Sequence, residues 1–148
     1  MTYKAFATLL RTILAATVCL FALNSVALDK NGNFESVQEQ DAFIAATLKK
    51  TAGEMNSQAP IQVDKDTRMI SVFALQKTLN FNVELINFRA SQLDPRDIEQ
   101  AAKENLNHTV CKSEATRNLI DLGVKYIYRY VGNDGKLITK VVIDRYRC

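Results

Sequence analysis

The sequence predicts an α+β domain: an antiparallel sheet of about four strands with helices packed on one face, in the order α-ββ-αα-ββ, tied by one disulfide. Three observations lead there. Strand-period runs come in two pairs, at 67–88 and 124–146, and each pair follows an amphipathic helical stretch. Antiparallel pairs alternating with helices favour helices layered on a sheet over a doubly wound parallel one. The first 27 residues have the make-up of a segment removed on export, and two cysteines remain after it.

Residues 1–27 carry Lys4 and Arg11 and no acidic residue, run apolar from Thr12 to Leu23, and close on Ser25-Val26-Ala27. A basic start, a short apolar stretch and small residues before a break are the parts of a secretory signal peptide, cleaved after Ala27. A membrane-spanning helix needs about 20 apolar residues, and this run is shorter. Lipid attachment at Cys19 is a third reading, but cleavage before a lipid-modified cysteine wants small residues upstream, and Val18 is branched. Removal of the signal from the 148 residues leaves 121, enough for one core. Of 19 Lys and Arg, Lys4 and Arg11 leave with it, so 17 face 16 Asp and Glu. Net charge near +1 takes most of the support from nucleic-acid binding, which shows as a strongly basic face. Contact with a membrane is expected only through an uncleaved signal.

After a polar lead-in at 28–34, helical spacing of Val37, Ile44, Leu48, Ala52 and Met55 predicts a helix from Glu35 to about Met55. Pro60 then breaks it, because a residue before proline avoids the α region. TRMISVFALQK (67–77) is rich in β-branched and aromatic residues. LNFNVELINF (79–88) alternates, with Leu79, Phe81, Val83 and Leu85 on one face and Asn80, Asn82 and Glu84 on the other. The short gap at Lys77-Thr78 predicts a hairpin between them.

The helix at 93–110 is the best marked. Asp94 caps it, Pro95 takes its first position, Asp97 suits its positive end, and Leu93 with Ile98 forms a staple. Ile98, Ala101, Ala102, Leu106 and Thr109 are its expected buried stripe. A shorter helix follows, capped by Ser113 and stopped by Gly123 in a left-handed conformation. Runs at 124–131 and 136–146 then form a hairpin through Gly132-Asn133-Asp134-Gly135.

Cys111 and Cys148 are the two cysteines left in a chain bound for an oxidising compartment, where such pairs become structural disulfides. Closing a loop of about 36 residues contributes roughly 3–4 kcal/mol. A reactive thiol near Arg145 and Arg147 is the rival reading and needs an environment that lowers its pKa.

Groups with catalytic potential are sparse. His108 is the one histidine, and a hydrolase would pair it with Asp97, Glu104 or Asp121. The bland alternative is a solvated imidazole near a helix end. Asp64, Asp66 and Arg68 form the densest polar cluster, but the alternating ligands, glycine and distant glutamate of a calcium loop are missing. Side chains that bond backbone at the start of a strand explain it better. No spacing of ligands implies a metal, and no motif implies a cofactor. Tyr126, Tyr128 and Tyr130 share one strand face, opposite Lys125, Ile127, Arg129 and Val131. Turned outward, the tyrosines with Arg129 would make a partner-binding ladder; turned inward, they are core.

Two stretches carry a resemblance: APIQVDKDTRMISVFALQKTLNFNVELINF, with its VDxxT strand start, and the block from Cys111 to Cys148, with GxxYxY and DGK between its cysteines. Together they resemble a group of small secreted or periplasmic proteobacterial proteins without a catalytic motif. In element order the chain is loosely similar to the α/β pilotins, which escort secretins to the outer membrane. The resemblance implies a periplasmic or secreted, non-catalytic interaction module. Its partner would be a protein of the envelope or a secretion system, held on the sheet face or in a helix groove. A secreted effector or inhibitor, and a small hydrolase using His108, are the alternatives.

Overall fold

A computed structural model describes residues 34–148 of the chain. The signal-peptide reading of 1–27, Cys19 included, lies outside the described residues. From Ser36 to Cys148 the chain forms one compact unit.

Helix α1 (Val37–Ser57) starts where Ser36 accepts a hydrogen bond from the Glu39 N–H at 3.1 Å. Its buried stripe is Ile44, Leu48 and Ala52, one residue per turn on one side. Val37 stands exposed in the first turn, so the stripe begins later than the sequence spacing suggested. Strand β1 (Ile61–Gln62) is a two-residue edge, and β2 (Thr67–Leu75) and β3 (Thr78–Leu85) form the expected hairpin. The turn is Gln76-Lys77, one residue earlier than expected, with Gln76 at φ 50°. Lys77 in this turn donates to Asp41 on α1 (2.6 Å) and to the carbonyl of Leu122 (2.9 Å).

Helix α2 (Pro95–Leu106) is capped by Asp94, whose carboxylate accepts from the Arg96 N–H at 2.9 Å, with proline in the first turn. The following residues do not continue it as an α-helix. Asn107–Cys111 form a π turn, closed by Lys112 N–H on the carbonyl of Asn107 at 3.2 Å. The wider turn sends Val110 and Cys111 to the core, in line with Ala102 and Leu106. Ala101 and Thr109, expected in the stripe, are exposed; the Thr109 hydroxyl bonds back to the Asn105 carbonyl at 3.0 Å.

Helix α3 (Glu114–Asp121) has Ser113 at its cap position, but the serine side chain makes no capping bond. Gly123 ends the helix at φ 89°. Its N–H bonds the carbonyl of Ile120 and that of Val124 bonds Leu119, both at 2.9 Å. This double closure needs a left-handed residue, which glycine adopts without steric cost.

Strands β4 (Lys125–Gly132) and β5 (Leu137–Ile143) form the closing antiparallel hairpin. The sheet order is β1-β2-β3-β4-β5. Two features correct the sequence expectation. Among the described residues the sheet has five strands rather than about four, and β3 and β4 run parallel, with Phe81 opposite Tyr128. Alternation shows which face a residue takes and is silent on strand direction. The direction is set by the crossover through α2, the π turn and α3, which returns the chain from the end of β3 to its beginning, beside which β4 starts.

Helices α1, α2 and α3 join one hydrophobic cluster on one face of the sheet. Helix α1 lies over β2 and β3, and α2 over β5. The last strand ends at Ile143 rather than Tyr146. Buried Asp144 then organises a turn, accepting from the Tyr146 N–H (3.1 Å) and from Arg147 (2.6 Å). That turn brings Cys148 to Cys111, and the two are disulfide-bonded with Cα atoms 5.4 Å apart.

Candidate interaction surface

Two backbone details decide which side chains face outward. In β2 a bulge at Ile70 puts Met69 opposite Val83 and Ser71 opposite Asn82. A bulge inserts one residue and reverses the alternation beyond it. Val72 and Ala74 therefore point to the core, while Phe73 and Leu75 point out, 47% and 67% exposed. Asn56, at the end of α1, stabilises this edge. Its side-chain amide donates to the Val72 carbonyl, and its oxygen accepts from the Val72 N–H at 2.7 Å. One side chain thus takes the place of a neighbouring strand where β1 has already ended.

The tyrosines of β4 face inward. Tyr126 is 4% exposed, and Tyr128 and Tyr130 are half-buried against the core cluster. Parallel register with β3 stacks Phe81 on Tyr128, with ring centroids 4.6 Å apart and planes within 8°. Burial favours the neutral phenol: it raises Tyr126 and Tyr128 above the usual range and pushes Tyr130 up to about 12. An outward aromatic ladder is therefore not what the fold builds, because the strand's other face is the one turned from the helices. Arg129 stands on that other face, exposed.

The outward face reads as rows across the strands. One row is Phe73, Asn80, Ile127 and Val142; the next is Ser71, Asn82, Arg129 and Lys140. Asn82 donates to the Ser71 hydroxyl at 2.7 Å. A third row holds Arg68, Glu84, Val131 and Leu137, in which Glu84 accepts two bonds from Arg68, at 3.0 and 2.5 Å. Leu137 is 53% exposed. Among the described residues no helix packs on this face.

The other sequence candidates lie apart from it or within its frame. Asp64 accepts from the Asp66 N–H at 2.8 Å, which lowers its pKa, and Asp66 accepts from the Asn87 side chain at 2.7 Å. With Arg68 on Glu84, the polar cluster organises the loop before β2. His108 is exposed in the π turn, and among the described residues no carboxylate lies within ion-pair distance of it. Glu104 accepts from Gln100 and Asp121 from Arg117, each one turn away on its own helix. No group of three or more His, Cys, Asp or Glu residues able to hold a metal occurs among the described residues. None of their helices is long and apolar enough to cross a membrane.

Phe73 and Lys140 are the surface residues that sequence reasoning passed over. The mixed cationic and apolar face of β4 was visible in its alternation. The bulge that turns Phe73 to the same side has no sequence mark.

The fold has structural likenesses. A type 2 secretion system pilotin from Vibrio vulnificus, EpsS, superposes with a TM-score of 0.63 at 16% identity, covering 75% of this chain and 96% of that one. The type II pilotin AspS of Vibrio cholerae gives 0.59 at 14% identity, over 75% and 97%. A Pseudomonas aeruginosa protein assigned as secreted gives 0.62 at 16% identity, over 74% and 96%. No protein-family model matches the chain, and no curated protein matches it in sequence. At these identities the likeness is one of fold: a pilotin-like α/β architecture.

Proposed function

We propose that this protein is an exported, non-catalytic binding module of the bacterial envelope that holds a protein component of a secretion system, as a pilotin does. The observation that carries the reading is the sheet face on which, among the described residues, no helix packs. It presents Phe73, Leu75 and Leu137, 47%, 67% and 53% exposed, beside Ile127, Val131 and Val142. Large apolar side chains left exposed together on one face of a monomer mark an interaction site, and here they flank the polar row of Ser71, Asn82, Arg129 and Lys140. The pilotin-like fold supports the class of partner. Arg129 belongs to the contact surface; Tyr126, Tyr128 and Tyr130 support it from beneath, through the core. The compartment that fits is the periplasm, reached through the signal at 1–27.

Affinity capture tests this. The disulfide-bonded chain is used as bait against a solubilised envelope fraction from its own cells, beside a Phe73→Asp/Leu137→Asp variant. Retention of a secretion-system protein by the first and not the second is expected. Recovery of the protein from the cytosol, or equal retention by both baits, overturns the proposal.

A further inference from the structure

The outward face carries a charge imbalance set into its apolar surroundings. Arg129 and Lys140 are directly opposite in the β4–β5 ladder, both exposed, on the same face. Like charges placed opposite one another destabilise a sheet. Lys125 lies on that face of the same strand, also exposed. Among the described residues none of these three cations has an ion pair or hydrogen bond, whereas Arg68, in the adjoining row, is satisfied by Glu84. Rows on either side of Arg129 and Lys140, about 7 Å away along the strands, bear Ile127, Val142 and Phe73 on one flank and Val131 and Leu137 on the other.

We propose that this face captures an acidic segment of its protein partner, with carboxylates seated over Arg129 and Lys140 and apolar side chains on the flanking rows. The inference rests on the binding role proposed above and names the partner's chemistry. Charge complementarity selects this occupant. A second copy meeting face to face would set the same cations against each other. A lipid surface would leave the amides of Asn80 and Asn82, in the middle of the patch, facing hydrocarbon, whereas a peptide can hydrogen-bond them.

The test is photo-cross-linking of the full chain in the cells that encode it, with p-benzoylphenylalanine replacing Phe73 on the face or Phe43 on α1. An adduct at position 73 is expected. It falls at least tenfold in an Arg129→Glu/Lys140→Glu background and equally in Arg129→Gln/Lys140→Gln, which removes the charge without reversing it. Arg129→Lys keeps it within twofold. Each variant is first shown to melt with wild-type cooperativity and to hold its disulfide. The linked partner peptide is expected to contain Asp or Glu with apolar residues on both sides. An adduct indifferent to the charge changes, or a peptide without carboxylates, overturns the inference. So does binding of the purified protein to vesicles containing phosphatidylglycerol that the Gln variant abolishes. An adduct at position 43 and not at 73 sinks this inference alone; no protein adduct at either position sinks the binding role with it.

Discussion

Replacing Asn56 with alanine removes both hydrogen bonds that close the β2 edge at Val72, a residue with 0% exposure. Each such bond contributes about 1 kcal/mol net, so the pair is worth about 2 kcal/mol. Water can approach from the side of Asn56, which is exposed, so the larger penalty of a sealed, unpaired group does not apply. Alanine's better helix propensity in the last turn of α1 offsets about 0.5 kcal/mol. The expected loss is therefore about 1.5 kcal/mol. For a domain of this size, with a urea m-value of about 1.5 kcal/mol/M, the midpoint falls by about 1 M. The assay is urea unfolding followed by far-UV circular dichroism, because the chain lacks tryptophan, together with amide exchange at Val72. Asn56→Asp keeps only the acceptor for the Val72 N–H and should lose at least as much. A midpoint within 0.3 M of wild type and unchanged exchange at Val72 would refute the reasoning.

Cys148→Ser releases the terminal turn from Cys111, and the loop-closure contribution of roughly 3–4 kcal/mol should be lost in denaturant unfolding; the wild-type protein should show no free thiol by non-reducing mass spectrometry. Gly132→Ala places a methyl group 2.4 Å from the Ala90 nitrogen and 2.9 Å from the Arg89 carbonyl carbon. Overpacking against backbone costs about 1–3 kcal/mol, and the bond from Asn133 N–H to the Phe88 carbonyl, 2.9 Å in the wild type, should weaken in amide exchange. Alkaline titration gives a signed pH effect. Burial raises the Tyr130 pKa from 10.0 to about 12, so the unfolded chain gives up its phenol proton first. This stability is complete below about pH 10 and drains away as pH rises through 12; ultraviolet absorbance should show the β4 tyrosines ionising late, together with unfolding.

The local elements were legible where a physical signal is local. Asp94-Pro95 and Gly123 mark helix ends because caps and left-handed closures depend on side chains within a few residues; the Ser36 cap of α1 carries the same kind of local signal but was passed over. The alternation of β3 specified its faces one by one. The paired cysteines located the C-terminus against the π turn. The parallel β3–β4 pairing was not legible, since it depends on where a crossover of two helices returns. Nor was the π turn after Leu106, whose extra residue moves Thr109 out and Val110 in. The candidate surface was half visible: Arg129 and its apolar neighbours alternate with the tyrosines, but their union with Phe73 and Lys140 required strand order and the bulge at Ile70.

Oxidative footprinting in living cells addresses the docking surface most directly, because Phe73 and Phe43 have nearly equal exposure in the free protein, 47% and 45%. Hydroxyl-radical labelling of the chain in its envelope, compared with the purified protein, should spare Phe73 severalfold while Phe43 is oxidised alike in both. Equal oxidation of Phe73 inside the cell and out would contradict the claim that a partner covers the open sheet.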